Sequence, residues 1–331
     1  MKIIIDGMGG DNAPEATVKG AIDAINQYGV DIIITGPSEI LSKELAKYKY
    51  PEEKLEILNA NDIITNDDDP AIAIRRKKES SLVVGLNALK DGLGDGIISA
   101  GNTGALLAGG LFIVKRIQGI DRAAITLLYP TLKGASLLLD AGANMDSKPE
   151  YLQQFALMGS IYMEEVMGKN NPKVGLINVG TEDSKGNQLA KETFELLKKT
   201  PINFVGNIEG RDMPMGEVDV MVCDGFVGNI ALKLTEGLAS SIFSLLKKAF
   251  LSNFKTKIGA MLLKGQMSEL KKTMDYREYG GAPLLGTQKP VVKAHGSSDA
   301  YAIKNGIGQL KLFIEKDVIK AIENKLTITE E

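Results

Sequence analysis

Six times along the chain a short apolar run gives way to a glycine-rich polar turn and then to residues at helical spacing. The runs stand in "KIIIDGMGGDNAP", "VDIIITGPSE", "DGIISAGNTGALLAGG", "ASLLLDAGANMDSKPE", "KVGLINVGTEDSKGN" and "VDVMVCDGFVGN". Strands that are apolar on both faces and alternate with helices predict an α/β fold, a three-layer αβα sandwich around a mostly parallel sheet. In such sheets ligands bind beyond the carboxyl ends of the strands, so the polar turns are expected together on one edge. Helix starts are marked by side chains that can accept from the first backbone N–H groups. Asp11 or Asn12 precedes Pro14, Asn102 or Thr103 precedes "GALLAGGLFIVKR", and Ser147 precedes "KPEYLQQFALMGSIYMEEV". No linker, low-complexity tract or short repeat interrupts the rhythm, so residues 1–331 read as one domain.

Two stretches depart from it. "TNDDDPAIAIRRKKESS" sets three acids and a proline ahead of Arg75, Arg76, Lys77 and Lys78. From Ser240 to Ser268 there is no acidic residue, while lysines stand at 247, 248, 255, 257 and 264. Phe250, Phe254, Ile258, Met261 and Leu262 follow helical steps of three and four, but Lys257 would project close to that face. A break near Ser252 and Asn253, giving two short helices, resolves the conflict. Such a segment is either a core helix pair with a solvated lysine edge or a basic, apolar surface for anionic lipid or an acidic protein.

Composition narrows the picture mainly by exclusion. The 39 basic and 42 acidic residues leave a net charge of -3, so the chain is not built to condense on nucleic acid. One cysteine, Cys223, and one histidine, His295, exclude an intramolecular disulfide and disfavour a metal site. Cys223, inside "VDVMVCDG", is expected to be a buried structural thiol. The start "MKIIIDG" lacks a signal-peptide layout, and no apolar run approaches the roughly 20 residues of a spanning helix. These features point to a reducing cytoplasmic setting.

The turns carry the candidate chemistry. The first has the order strand, glycine-rich turn, helix start that lets a backbone approach a phosphate. A dinucleotide fingerprint needs a third glycine, where Asn12 stands, and a ribose-binding acid after the second strand, where Gly36 and Pro37 stand. No G-x-x-x-x-G-K-[ST] loop or G-x-S-x-G elbow occurs. What remains suits a small anion, unless the glycines serve only a tight turn. "SAGNTGA" adds hydroxyls at Ser99 and Thr103 and an amide at Asn102, donors without a carboxylate. Further turns add Thr181, Lys185 and Asn187, then Asp224 and Asn229, then Lys293, His295, Ser297, Ser298 and Asp299. This inventory supplies a covalent mechanism poorly. Direct attack by inorganic phosphate on a thioester asks less, because the nucleophile is already anionic and the leaving thiol has a pKa of about 8.5. The site would then orient two reactants and stabilise an oxyanion, with no cofactor.

"DGMGGDNAPE", "AIRRKKESSLVVGL", "ISAGNTGALLAGGLFIVKRIQGIDRAAI", "LLLDAGANMDSKPEYLQQFALMGSIY", "VGLINVGTEDSKGN", "VCDGFVGNIALK", "EYGGAPLLG" and "KAHGSSDAYAI" resemble the bacterial phosphate acyltransferases (PlsX), in order from about Met1 to Ile314. One departure is Gly7, where the family usually has alanine, and it is expected to loosen the turn without abolishing function. The resemblance implies transfer of a long-chain acyl group from acyl-acyl carrier protein to inorganic phosphate, giving acyl phosphate for phospholipid synthesis. It implies a fold similar to phosphotransacetylase and isocitrate-dehydrogenase-like proteins, a homodimer, and peripheral membrane association through an amphipathic helical tip, here at about 238–275. Contact with membrane or carrier protein would fall to Phe250, Phe254, Lys255, Lys257, Ile258, Met261 and Leu262. The family's catalytic lysine and asparagine correspond to Lys185 and Asn229, to which His295 is added as a catalytic candidate. The phosphate cradle is expected from Gly9, Gly10, Ser99, Asn102 and Thr103, closed by His295 and Ser297, with Thr181 nearby. Asp6, Asp11 and Asp224 are counted with the phosphate- or substrate-binding residues, the alternative being that each caps a helix or orients Lys185 or His295.

Overall fold

The computed structural model describes residues 1–273 and 275–330. Met274, within the predicted tip, and Glu331, at the end of the predicted domain, lie outside the described residues. All six predicted runs become strands: β1 (Lys2–Asp6), β2 (Asp31–Gly36), β4 (Gly96–Ser99), β6 (Gly134–Leu139), β7 (Lys173–Asn178) and β9 (Val220–Val222). They are joined by β3 (Leu55–Asn59), β5 (Ala124–Thr131), β8 (Asn203–Glu209), β10 (Ala282–Leu285) and β11 (Val291–Lys293). The strands make one sheet in the order β3-β2-β1-β4-β11-β10-β5-β6-β9-β7-β8.

Neighbours are parallel except at β11–β10, β10–β5 and β5–β6. Three reversals are an odd number, so β6, β9, β7 and β8 run opposite to β3, β2, β1, β4 and β11. The expectation that all the polar turns share one edge therefore fails. Carboxyl ends of the two halves point to opposite edges, and the short strands β10 and β11 gave too little pattern to signal the reversal.

The helices are α1 (Glu15–Tyr28), α2 (Ser38–Leu45), α3 (Pro70–Arg76), α4 (Ser81–Lys90), α5 (Thr103–Gly109), α6 (Pro149–Glu165), α7 (Gln188–Leu197), α8 (Gly225–Phe250), α9 (Phe254–Leu262), α10 (Lys264–Thr273), α11 (Ala300–Glu315) and α12 (Val318–Glu330). Side chains alternate across a strand, and the helices divide accordingly. Ile3 and Ile5 cluster with Val18 and Ile22 of α1 and with Ile303 and Ile307 of α11. Ile4 clusters with Leu82 and Leu86 of α4 on the opposite face. In the other half, Leu137 and Leu139 meet Phe155 and Met158 of α6, while Leu138 shares a cluster with Ala231 and Leu232 of α8. Burial of each such side chain stabilises by roughly 1.5–3 kcal/mol, which is why runs like "IIID" resist any other placement.

Asn102 caps α5 as expected, its Oδ1 accepting from Ala105 N at 2.9 Å. Neither Asp11 nor Asn12 caps α1, because the Asn12 amide is drawn to the Ser297 and Ser298 carbonyls at 3.1 and 3.2 Å. Ser147 also does not cap α6, and its hydroxyl donates back to Asn144 O. Gly7 does not loosen its turn. Gly7 N donates to Thr35 O at 2.9 Å, and a Cβ there would stand 2.7 Å from that oxygen and 2.8 Å from Ile34.

The predicted break falls where expected. Asn253 caps α9 through a capping box with Thr256, and α8 stops at Phe250. However, the helix before the break is 26 residues long, and α10 follows α9. Among the described residues no helix is long and apolar enough to cross a membrane.

Candidate active site

Three turns on the β3-to-β11 side of the sheet converge at the carboxyl ends of β1, β4 and β11. Asp6, the last residue of β1, is buried and accepts from Ser81 Oγ at 2.6 Å and Ser99 Oγ at 2.7 Å. Burial pushes its carboxyl above the usual carboxylate range, against the two hydroxyls and the Met8 backbone, which hold it down. Gly9 packs on this carboxylate so closely that a Cβ would stand 2.5 Å from Asp6 Oδ2 and 2.8 Å from Gly101 N. Gly10 has φ +100° and faces Ala100 and the Gly296 carbonyl, so the turn needs glycine both for its dihedral and for its space. Asp11 N then donates to Gly296 O at 2.8 Å, tying the first turn to the one after β11.

Beside this junction lies a cavity of about 380 Å³ over the middle of the sheet. Its floor is Ile125 and Leu127 of β5 and Ala282 of β10. One wall brings Thr103 from the start of α5, another brings Asn229, Leu232, Lys233 and Glu236 from α8, and Lys293 and His295 close the end. α8 reaches this place because it starts beyond β9 at the opposite edge and runs back across the face, where Thr235 Oγ1 meets Tyr129 Oη at 2.8 Å. The Ala141–Asn144 loop supplies a further wall. Its shape is set by buried Asp140, whose carboxylate accepts from Ile125 N, Ala143 N and Asn144 N at 3.2, 3.0 and 2.6 Å.

The predicted residues divide by location. Thr103, Asn229 and His295 line the cavity. Ser297 N donates to His295 Nδ1 at 3.2 Å, which makes Nδ1 an acceptor and leaves the proton of the neutral ring on Nε2. Burial and the nearby Lys233 ammonium hold the imidazole below its usual pKa, favouring that neutral form. Asn102 is occupied structurally. Besides its cap, its amide donates to Thr65 O at 3.0 Å and Asp68 O at 3.4 Å. Asp224 caps α8, accepting from Val227 N at 2.9 Å.

Thr181 and Lys185 are not brought to this cavity. They lie on the exposed loop after β7, where Lys185 Nζ stands 3.9 Å from Glu182 Oε1. Asp224, Gly186 and Asn187 line a second, smaller cavity of about 150 Å³ on the other side of the first turn of α8. Cys223 also borders it. As expected the thiol is buried, and burial with the Asp224 and Asp140 charges pushes its pKa well up, so it is no nucleophile.

Comparison with known proteins decides the family. Residues 1–321 match the family model described as "Fatty acid synthesis protein". A phosphate acyltransferase of Alkaliphilus oremlandii is 56% identical over 322 residues, covering 97% of this chain and 96% of the relative. One of Clostridioides difficile is 54% identical over 323 residues, covering 97% and 95%. The chain belongs to the phosphate acyltransferase family. Its fold is also that of a phosphotransacetylase from Streptococcus pyogenes, with a TM-score of 0.65 at 20% identity and coverage of 97% and 94%.

For a phosphate acyltransferase, two residues had gone unnamed in the sequence, Ser81 and Asp140, and Lys293 stood there only as one of several turn donors. Ser81 completes the Asp6 triad, but sits among helical residues 75 positions from its partner. Asp140 was legible only as the end of "ASLLLD". Lys293 ends β11, the strand registered against β4, and reaches the cavity. Its signal was a single lysine after an apolar run and before a glycine-serine turn.

Proposed function

We propose that this phosphate acyltransferase moves a long-chain acyl group from acyl-acyl carrier protein to inorganic phosphate, giving acyl phosphate for phospholipid synthesis. The observation that carries the reading is the two-sided cavity. Thr103, Asn229, Lys293 and His295 gather polar groups at one end, against the apolar surface of Ile125, Leu127, Leu232 and Ala282. A phosphate oxygen attacks the thioester carbonyl carbon, the C–S bond breaks, and the carrier's thiolate leaves and takes up a proton. The Asn229 amide and the His295 Nε2–H are suited to donate to the carbonyl oxygen as it becomes an oxyanion. Lys185 enters through the family motif, and its ammonium, outside the cavity, would act on the acyl donor or on phosphate as it arrives. No cofactor is required by this chemistry.

Exposed apolar faces support the association part of the proposal. Phe226, Ile230, Leu234, Leu238, Ile242 and Leu245 form a stripe along α8, each more than half exposed. A second copy of the chain, giving a homodimer, would cover it. Beyond the break, Phe254, Met261 and Leu262 are more than 70% exposed beside Lys255 and Lys257. That composition suits peripheral contact with the inner face of an anionic membrane, with carrier protein as the competing acidic occupant.

The test is incubation with palmitoyl-carrier protein with and without phosphate. Free carrier protein should appear only with phosphate, and palmitoyl-coenzyme A should be the poorer donor. Release indifferent to phosphate would refute the reading.

A further inference from the structure

We propose that Lys293 is the residue whose ammonium receives inorganic phosphate in the cavity. The inference rests on the acyl-transfer reading and assigns the anion site within it.

An ammonium carries three N–H donors and no acceptor. Lys293 Nζ donates to the carbonyl of its neighbour Ala294, and among the described residues no carboxylate lies within 4.0 Å of it. Asp6, whose charge acts on it from the end of β1, has both oxygens engaged by Ser81 and Ser99. Lys293 is partly buried and lines the cavity next to Thr103, Asn229 and His295. A charge withdrawn from water without a counter-ion is costly, and the cost is offset when a ligand brings the opposite charge. The other cavity lysine, Lys233, is already paired with Glu236 at 2.8 Å, and Lys185 is outside. Among the described residues, Lys293 is thus a cavity cation with no carboxylate in direct contact, two N–H donors in hand.

The charged and titratable groups facing it are Asp6 on β1, Asp11 in the following turn, Lys233 and Glu236 on α8, Tyr279 ahead of β10, and His295 in its own turn. Burial lowers the Lys293 pKa to about 8, with Asp6 and Asp11 pulling the other way. As pH rises through that value the empty site loses its proton and its charge. Phosphate capture should therefore weaken above about pH 8, although phosphate itself is then fully dianionic.

The experiment measures steady-state KM for phosphate and for palmitoyl-carrier protein, with inorganic phosphate binding by calorimetry, at pH 7 and pH 9.5. It compares wild type, Lys293→Met and Lys293→Arg, each checked by thermal melting. Lys293→Met should raise KM and Kd for phosphate about thirtyfold at pH 7, the factor for losing about 2 kcal/mol, with KM for the acyl donor unchanged. Lys293→Arg stays charged and should retain phosphate binding while losing the alkaline decline. Wild-type phosphate constants in a folded Lys293→Met, or an unchanged alkaline decline in Lys293→Arg, overturn the proposal while leaving acyl transfer intact. A wild type that turns over without phosphate overturns the acyl-transfer reading and the proposal with it.

Discussion

The turn cluster around Asp6 and the loop carrying Lys185 are both glycine-rich segments after an apolar strand, yet they are held differently. The first is fixed by bonds between residues far apart in sequence: Ser99 to Asp6, Ser81 to Asp6, and Asn12 to the Ser297 carbonyl. The second is held largely within itself, by Lys185 N to Glu182 O and by the Asn178 amide to Lys185 O, with Asn207 and a loose 4.0 Å pairing of Asp183 with Lys198 as distant anchors. A side chain in the first region therefore supports fold and site together. One in the second can be changed at the expense of chemistry alone.

Asp6→Ala should show the largest effect. It strands two buried hydroxyls that each lose an acceptor, at about 1–3 kcal/mol apiece, so unfolding free energy should fall by roughly 3 kcal/mol and activity with it. Chemical denaturation checks this, and a variant as stable as wild type would mean that the cluster does not hold the turns. Lys185→Ala should reverse the pattern. Its side chain is about half exposed, and its contact with Glu182 is a surface pair worth little. Stability should stay within about 0.5 kcal/mol while kcat falls roughly a hundredfold, as for removal of one transition-state donor. Equal losses of stability and activity in Lys185→Ala would erase the distinction between the two regions.

The same contrast explains what could be read from the sequence. "KIIID", "DIIITG" and "ASLLL" declare buried strands because each carries three apolar residues in a row, and no long-range information is needed. Asn102 as a cap and the break at Asn253 are equally local. The reversal of the sheet was not legible, because it depends on three antiparallel pairings among strands as short as Val291–Lys293. The division of the polar turns between two edges was hidden for the same reason. Ser81 was missed, and Lys293 was seen only as one turn donor among several, because each gains its meaning from residues brought to it across the sheet. Asn12, which looks like a helix cap, is taken instead by carbonyls 285 and 286 positions away.

His295 offers an intermediate test, since it belongs to the cavity and is bonded to Ser297 within its own turn. With its pKa below the ordinary value of 6.5, the imidazole is neutral at pH 7 and becomes a cation only at lower pH. If Nε2–H of the neutral ring donates to the oxyanion, kcat should stay flat as pH falls through 6.5 and change only below it. His295→Gln retains an N–H donor and should lose about tenfold in kcat, with that low-pH change abolished. A pH profile identical to wild type in His295→Gln would remove the histidine from the reaction.

The smallest effect on chemistry is expected farthest from both regions. Phe254 and Ile258 face solvent on α9, at 77% and 42% exposure, and no residue of α9 is buried. Phe254→Asp with Ile258→Asp therefore removes no packing from the sheet or the cavity, and soluble turnover should remain within about twofold of wild type. The change does introduce two carboxylates into a lysine-bearing, acid-free surface, reversing its attraction to an anionic bilayer while stripping its apolar contact. Sedimentation with vesicles containing anionic lipid should drop at least about tenfold. Unchanged sedimentation with unchanged turnover would leave α9 as neither a membrane contact nor part of the site, and carrier-protein binding by the same variant would then test its lysines as the dock.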